Sequence, residues 1–517
     1  MSGGSDTSAP TAAGRRWPLY PLVLLSLVNL VDQVDMAILR GVLPILEDEW
    51  ALSDLELGLL GFAFIVVNTI ATIPAGWVAD RVRRNRLMGW TLVSWSGLIL
   101  LSATAVNYWN LVFARAVMGI GQSIDDPAST SLIGDYYPPK MRSRAFSWQQ
   151  VALFAGSGIG LALGGWVGST LGWRWAFAIV GMPGSIVALL IFRLREPRRG
   201  EADAIEAGAP LPPPPDEHQS IPWRSLAGQM RQELVSELRT IFGIRTMRFI
   251  LVGVSALLFT VSGIGYWLAV YHERYSGMGV AQAASFTALV LGVGGGIGTI
   301  LGGHVADRLY SRGPGARITY TVWSAIGCTG LFLVSFLVPW LGVRIAAQFV
   351  GILVGAGAVP ALRASMMDVV PAESRGVGTS AFALCSAVFG TAMAPPLVGV
   401  LSDVTGSLVT AFLIVFPPVI AGLLLLLRAK TTIVEDAAKI FEAMYAPPSE
   451  EGGLGDDVVH DAALPDPGAL GDGVRPQPSV VEEVLDLRPA DEDGGVGEEA
   501  AVAAPPHALG AHDGRPR

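Results

Sequence analysis

Apolar side chains run along this chain in twelve stretches, roughly 18–46, 54–80, 86–106, 109–137, 145–170, 174–194, 247–274, 280–309, 316–339, 341–369, 376–402 and 405–428. A helix needs ~20 such residues to cross a bilayer, and these runs supply that. They are continuous and lack the period-two alternation of barrel strands, so they predict helices. Several exceed the bilayer's need, which predicts tilt or projecting ends. The expected fold class is an all-α membrane protein with twelve transmembrane helices.

The polar positions between the runs set orientation. Arg15 and Arg16 precede the first run; Arg81, Arg83, Arg84 and Arg86 lie between the second and third; Lys140, Arg142 and Arg144 lie between the fourth and fifth. Arg195, Arg198 and Arg199 follow the sixth run, Arg308, Arg312 and Arg317 separate the eighth and ninth, and Arg428 and Lys430 follow the twelfth. The alternate loops are poor in bases, and the first carries Glu47, Asp48 and Glu49. By the positive-inside rule both termini are cytoplasmic, and the expected location is the plasma (inner) membrane, multi-pass. The first run is too long for a cleavable signal, and no small-residue cleavage site follows it.

These breaks divide the chain into a cytoplasmic segment 1–17, a six-helix bundle 18–194, a linker 195–246, a second bundle 247–428 and a tail 429–517. The linker holds the run Pro212 to Pro215, then Trp223, Leu226, Met230, Leu234 and Leu238 at helical spacing. That spacing predicts an amphipathic helix near 222–242 on the membrane surface. Residues 447–517 carry sixteen acids and four arginines, a net −12 that leaves +3 for the remainder of a chain whose total is −9. Such a tail is expected to be disordered, as a solubilising or a regulatory extension.

Composition narrows the function. Hydrophobic residues make up 51% of the chain and charged residues 15%, against ~25% charged in soluble proteins. A soluble globule and a wholly disordered chain are excluded. Cys328 and Cys385 both lie in apolar runs, which argues against a disulfide framework or a cysteine-ligated metal. The histidines, His218, His272, His304, His460, His507 and His512, show no metal-ligand spacing, and no Walker-type loop is present. No cofactor, direct ATP drive, enzymatic site or nucleic-acid partner is expected. The glycines of 156–165 and 292–303 follow no strand, so they point to close helix packing rather than phosphate loops.

The two halves repeat each other. Gly76, Asp80 and Arg81 recur as Gly303, Asp307 and Arg308 at an offset of 227. Asp135, Pro138 and Arg142 recur as Asp368, Pro371 and Arg375 at an offset of 233. Parallel six-helix repeats imply a transport site between the halves near mid-membrane.

Gly76, Asp80, Arg81, Arg84 and Arg86 resemble the loop signature of the major facilitator superfamily, with Arg83 where the family prefers glycine. Arg115, Gly119 and Gly121, then Gly164, Gly165, Trp173, Arg174, Trp175 and Phe177, match further stretches of it. Within that superfamily, Asn29 to Asp32, Glu196 to Gly200 and Gly390 to Asp403 resemble the Spinster-like branch. The resemblance spans about 18–428. It implies alternating access, proton-linked movement of amphipathic lipid-like or small organic molecules, and a working monomer. It also implies a proton switch at Asp32 with Arg115, and Gln122 stands where the family has a Glu.

Ionisable groups inside the runs are the candidates for chemistry, because a charge at a helix centre costs ~2.5–3.5 kcal/mol. Asp32 lies roughly 22 Å along the first helix, near mid-membrane. Asp35 shares its face, and Asp125 and Asp126 lie one turn beyond Gln122. A carboxylate in an apolar cavity gains or loses its proton as its surroundings change. Asp32, Asp35, Asp125 and Asp126 are therefore candidates for proton coupling; static interhelical bonding is the alternative for each. Arg115 could hold an anionic headgroup or pair with a helix 1 carboxylate. Arg363 could draw an anion inward or reach for the interface. Asn29, Gln122, Tyr266, Trp267, Phe389 and Met393 complete the candidate substrate surface, with a helix break expected near Tyr266. Asp80 is expected to face the positive end of helix 11, and Asp135 to pair with Arg84. With Gly76, Arg81, Asp307 and Arg308 these form candidate gates between the halves. The competing functions are a drug or metabolite exporter, an organic-anion symporter and a non-transporting membrane receptor.

Overall fold

The computed structural model describes residues 18–79, 82–207, 209–211, 242–313, 315–367, 369–370 and 381–436. Asp80, Arg81, most of the expected amphipathic stretch 222–242 and the acidic tail from 437 lie outside the described residues.

The first half holds α1 (Leu19–Trp50), α2 (Asp54–Ala79), α3 (Arg84–Ala103), α4 (Tyr108–Gln122 and Asp125–Tyr136), α5 (Pro139–Leu171) and α6 (Trp173–Phe192). A short helix, Glu201–Ala207, follows. The second half holds α7 (Arg245–Ser276), α8 (Val280–Ala288 and Gly295–Tyr310, joined by the π-helical turn Leu289–Gly294) and α9 (Gly315–Leu337). It continues with α10 (Leu341–Gly355 and Ala358–Met367), α11 (π-helical Ser386–Ala392, then Ala394–Thr405) and α12 (Leu408–Leu426). Ten of these helices are long and apolar enough to cross a membrane. The 20-residue α3 and the broken α4 complete the set.

Local chemistry fixes the boundaries. The Asn107 side chain accepts from Asn110 N at 2.9 Å and caps α4. Ser407 caps α12 in the same manner. Gly172 at φ +96° lets α5 turn directly into α6, and Gly277 at φ +64° ends α7, conformations costly for other residues.

Both α4 and α10 break, and they break in register. The segments Tyr108–Gln122 and Leu341–Gly355 are each 15 residues, and their restarts, Asp125 and Ala358, stand 233 positions apart. This is the offset that relates Asp135 to Asp368 in the sequence. The repeat thus extends from loops to helix geometry. The helix break expected in α7 is not there: α7 runs unbroken through Tyr266 to Ser276.

Within the first half, α1 lies along α5, α2 along α4 and α3 along α6. The α1–α5 contact depends on Gly156, Gly160 and Gly164. A Cβ on these would sit 2.5, 2.3 and 2.6 Å from the carbonyl oxygens of Leu30, Val34 and Ile38. Small residues four apart allow this approach, since apolar lipid gives helices no hydrophobic incentive to associate. In the second half α7 packs on α11 and α12, and α9 on α10. The halves meet along two seams, α2 with α11 and α5 with α8.

Candidate functional site

The seams are sealed at one end, the end that the loop charges assign to the outside. There Arg274 of α7 donates to both carboxylate oxygens of Asp54 on α2, at 3.0 and 2.5 Å, and pairs with Glu47 of α1 at 2.8 Å. Asp403, at the end of α11, accepts from the backbone N–H groups of Asp54 and Leu55, both at 2.9 Å. This meets two orphan donors at the start of α2 and places a negative charge on its positive end. The Tyr266 hydroxyl donates to Leu57 O at 2.6 Å. Backbone contact is close enough that a Cβ on Gly399 would sit 2.3 Å from Asp54 O.

Along the α5–α8 seam, from Ala162 and Ser285 down to Ser147 and Asp307, runs a cavity of about 1000 Å³ that takes in Gln150, Phe154, Gly292 and Thr299. It adjoins a central cavity of about 440 Å³ that reaches Gln33, Arg40, Val261, Leu291, Ile352 and Arg363. Above it, toward the sealed end, lies a pocket of about 210 Å³ bearing Arg40, Arg115, Ser262 and Tyr266.

A fourth cavity, also about 210 Å³, lies wholly within the first half. Its wall carries Asn29, Asp32, Asn68, Gln122, Asp125 and Asp126, and no cation. Gln33 donates to Asp32 at 3.0 Å, and Thr91 to Asp125 at 3.4 Å. The second oxygen of Asp125 and the amide oxygen of Asn29 are buried without a partner. The break in α4 explains the placement: Asp125 and Asp126 occupy the first turn of the restarted helix, beside its positive end. The matching restart of α10 carries Ala358 and Val359, so the second half has no counterpart. Three carboxylates thus share one small cavity without a lining cation, an arrangement in which like charges are costly to keep together. The acidic cavity and the central cavity share Gln33, and the central cavity also carries Arg363 of the other half.

The structure rearranges the expected helix 1–helix 4 pair. Arg115 meets Asp35, not Asp32, at 3.3 Å, and Gln122 donates to the same carboxylate at 3.4 Å. Residues three apart lie ~60° apart around a helix, so periodicity alone did not separate the two acids. Asp35 points at α4, whereas Asp32 turns into the acidic cavity. Arg115 stacks over Phe177 at 4.7 Å, and its Nε and Nη2 have no hydrogen-bond partner.

The inner loops also differ from expectation. Arg84 does meet Asp135, at 2.5 Å, but both belong to the first half, and Arg84 also holds Glu196 at 2.8 Å. The cluster ties α3, α4 and the segment after α6 together rather than joining the halves. Asp307 pairs with Arg317 at 3.2 Å, again within one half, and Arg308 is exposed. Gly76 lies in α2. Of the expected substrate surface, Tyr266 lines a cavity. Trp267 is buried and donates to Pro395 O at 3.1 Å. Phe389 and Met393 line none of the four cavities. Sequence reading missed Arg40 and the partnership of Arg274 with Asp54. Their signals were a lone cation inside an apolar run and a base in an otherwise base-poor loop.

The fold agrees with the comparisons to known proteins. Residues 25–393 match the family model of the Major Facilitator Superfamily. An MFS-type efflux pump of Mycolicibacterium smegmatis is 24% identical over 361 residues, covering 68% of this chain and 77% of that protein. The sphingosine-1-phosphate transporter SPNS2 of Danio rerio is 27% identical over 263 residues, 50% of this chain and 48% of that protein. A crystal structure of a bacterial homolog to the human lysosomal transporter Spinster, inward-facing and unoccupied, superposes with a TM-score of 0.64 at 21% identity, covering 86% of this chain and all of that one. The chain belongs to the major facilitator superfamily and is a multi-pass membrane transporter.

Proposed function

We propose that the chain is a proton-coupled secondary transporter that moves amphipathic, lipid-like or small organic molecules by alternating access. The carrying observation is the pairing of two features in one bundle. Breakable polar contacts seal one end of the inter-half cavity, and a set of buried carboxylates lies beside that cavity. Rocking the halves would break the Arg274–Asp54 contact, close the α5–α8 cavity and move Arg363 relative to Asp126. The third movement alters the charge facing an acid that binds a proton, which links proton binding to conformation. Asp32, Asp125 and Asp126 are the proton carriers in this reading, with Asp35 and Arg115 as a pair whose contact changes with state.

The lipid-like substrate class is supported by the cavity walls. Leu153, Phe154, Leu291 and Ile352 offer apolar surface next to polar ends. A named lipid transporter among the relatives points the same way. Export of drugs or metabolites is the second reading, favoured by the efflux pump. In either case the chain works as a monomer in the plasma membrane with both termini cytoplasmic.

Proteoliposomes carrying a pH gradient test this directly. Candidate lysolipids and amphipathic cations are added, and proton flux is compared among wild type, Asp32→Asn and Asp125→Asn/Asp126→Asn. Substrate-dependent flux in wild type that is lost in at least one variant is expected. Substrate flux indifferent to the gradient and to all three substitutions would rule out proton coupling.

A further inference from the structure

We propose that the sealed end of the central cavity is a binding site for an oxyanion, centred on Arg40. This names the substrate class of the cavity described above and so rests on the transport reading. Arg40 follows Asp35 by five residues, which places it ~140° around α1 and about 7.5 Å nearer the sealed end. It therefore faces away from the carboxylate that Arg115 uses. Among the described residues it makes no hydrogen bond or ion pair, yet it lines both the small upper pocket and the central cavity. Gly265 leaves room beside it: a Cβ there would sit 3.9 Å from Arg40 Nη1.

The surroundings make this an anion site rather than a stray charge. Arg115 lines the same pocket, with its Nη1 on Asp35 and its Nε and Nη2 buried and unpartnered. The pocket's hydroxyls are already used as donors: Ser262 gives its proton to Thr391 O at 2.9 Å, and Tyr266 to Leu57 O. The free donors are thus guanidinium N–H groups, two arginines against a single acid. A guanidinium fork matches a phosphate or carboxylate with two parallel hydrogen bonds. The two unpartnered N–H groups of Arg115 are buried, a costly arrangement that a bound oxyanion would relieve, while half-buried Arg40 faces the cavity.

The rest of the cavity selects what carries the oxyanion. Leu39, Phe64, Ile65 and Leu258 form an apolar wall beside Arg40, which continues as Phe154, Leu291 and Ile352 below. Arg363 stands at the far end of the central cavity, 5.9 Å over the Phe382 ring. Cations at both ends disfavour an amphipathic cation and favour an anion with an apolar body. The oxyanion could be a lipid headgroup phosphate or the carboxylate of a small organic acid.

Equilibrium binding to the purified full chain in detergent, with no gradient, tests the site. The radiolabelled probes are oleoyl lysophosphatidate, monooleoylglycerol (the same chain without phosphate) and gluconate (an oxyanion without a chain). At least one anionic probe should bind wild type. Arg40→Gln should weaken it on the order of tenfold or more, while Arg40→Lys keeps part of the affinity. Monooleoylglycerol binding should be unchanged by either, which also reports that the variants are folded. Lysophosphatidate alone would assign the lipid headgroup, and gluconate alone the organic acid. The site is overturned if neither anion binds wild type, if Arg40→Gln binds it as wild type does, or if Arg40→Gln weakens monooleoylglycerol equally. Because binding is read without transport, a failed flux assay leaves this result standing, and a failed binding assay leaves proton coupling open.

Discussion

Arg84 and Arg115 are both almost fully buried guanidiniums, and they are held differently. Arg84 makes bonds of 2.5 to 2.8 Å to Asp135, Ser131 and Glu196. The Arg115–Asp35 contact is 3.3 Å, longer than the ~2.7–2.9 Å of a tight charge-assisted bond. The first is a fixed brace and the second a loose pair that can change partners. Arg84→Ala removes the cation that Asp135 and Glu196 share and is expected to cost roughly 3–5 kcal/mol, seen as a clear fall in the thermal midpoint in detergent. Asp35→Asn strands the Arg115 charge and should also destabilise. The double variant Arg115→Gln/Asp35→Asn should recover most of that loss, as a thermal double-mutant cycle would reveal. Additive losses would show that the two side chains act independently. At this scale the sequence disclosed which residues carry chemistry, because ionisable groups stand out in apolar runs. It did not disclose who meets whom: Asp32 and Asp35 share a face, and only the packing of α4 against α1 picks Asp35 for Arg115.

At the scale of elements, the broken α4 does what the second-half break cannot. Both breaks follow from the repeat, and the 233-residue offset between loop motifs is legible in the sequence. The interruption itself was not, since residues 109–137 read as one apolar run. The restart at Asp125 turns two acids into first-turn residues of a half-helix facing a cavity. Glycines divide similarly into those that hold a half together and those that hold the halves to each other. Gly399→Ala brings a Cβ to 2.3 Å from Asp54 O, across the α2–α11 seam. Overpacking of this kind costs ~1–3 kcal/mol, and here the cost falls only on the sealed state. A cysteine at Ser262 should then react faster with a membrane-impermeant maleimide, by about fivefold or more. Gly160→Ala, which crowds Val34 O within one half, should instead lower thermal stability without changing that labelling rate.

For the whole molecule, the seal at one end and the α5–α8 cavity define its state. Twelve apolar runs were readable from hydropathy, the orientation from loop charge and the two repeats from recurring loop motifs. The seal was not, because Arg274 meets an acid 220 positions away and Asp403 caps a helix start 349 positions away, beyond any local pattern. In the state with this seal, the Asp135 and Asp307 loops pair within their own halves. Arg274→Ala removes the pairings with Asp54 and Glu47 and should shift the population away from the sealed state. The distance between spin labels at Asp48→Cys and Val404→Cys, on a cysteine-free background, would lengthen in a larger fraction of molecules. The same labels, with a second pair at Phe146→Cys and His304→Cys flanking the α5–α8 cavity, test the link between protons and conformation most directly. Both distance distributions are recorded by pulsed electron paramagnetic resonance across a pH titration. The expected result is a reciprocal shift, one pair lengthening as the other shortens, that vanishes in Asp32→Asn/Asp125→Asn/Asp126→Asn. Distances that ignore pH in wild type, or that shift equally in the triple variant, would contradict coupling through the acidic cavity.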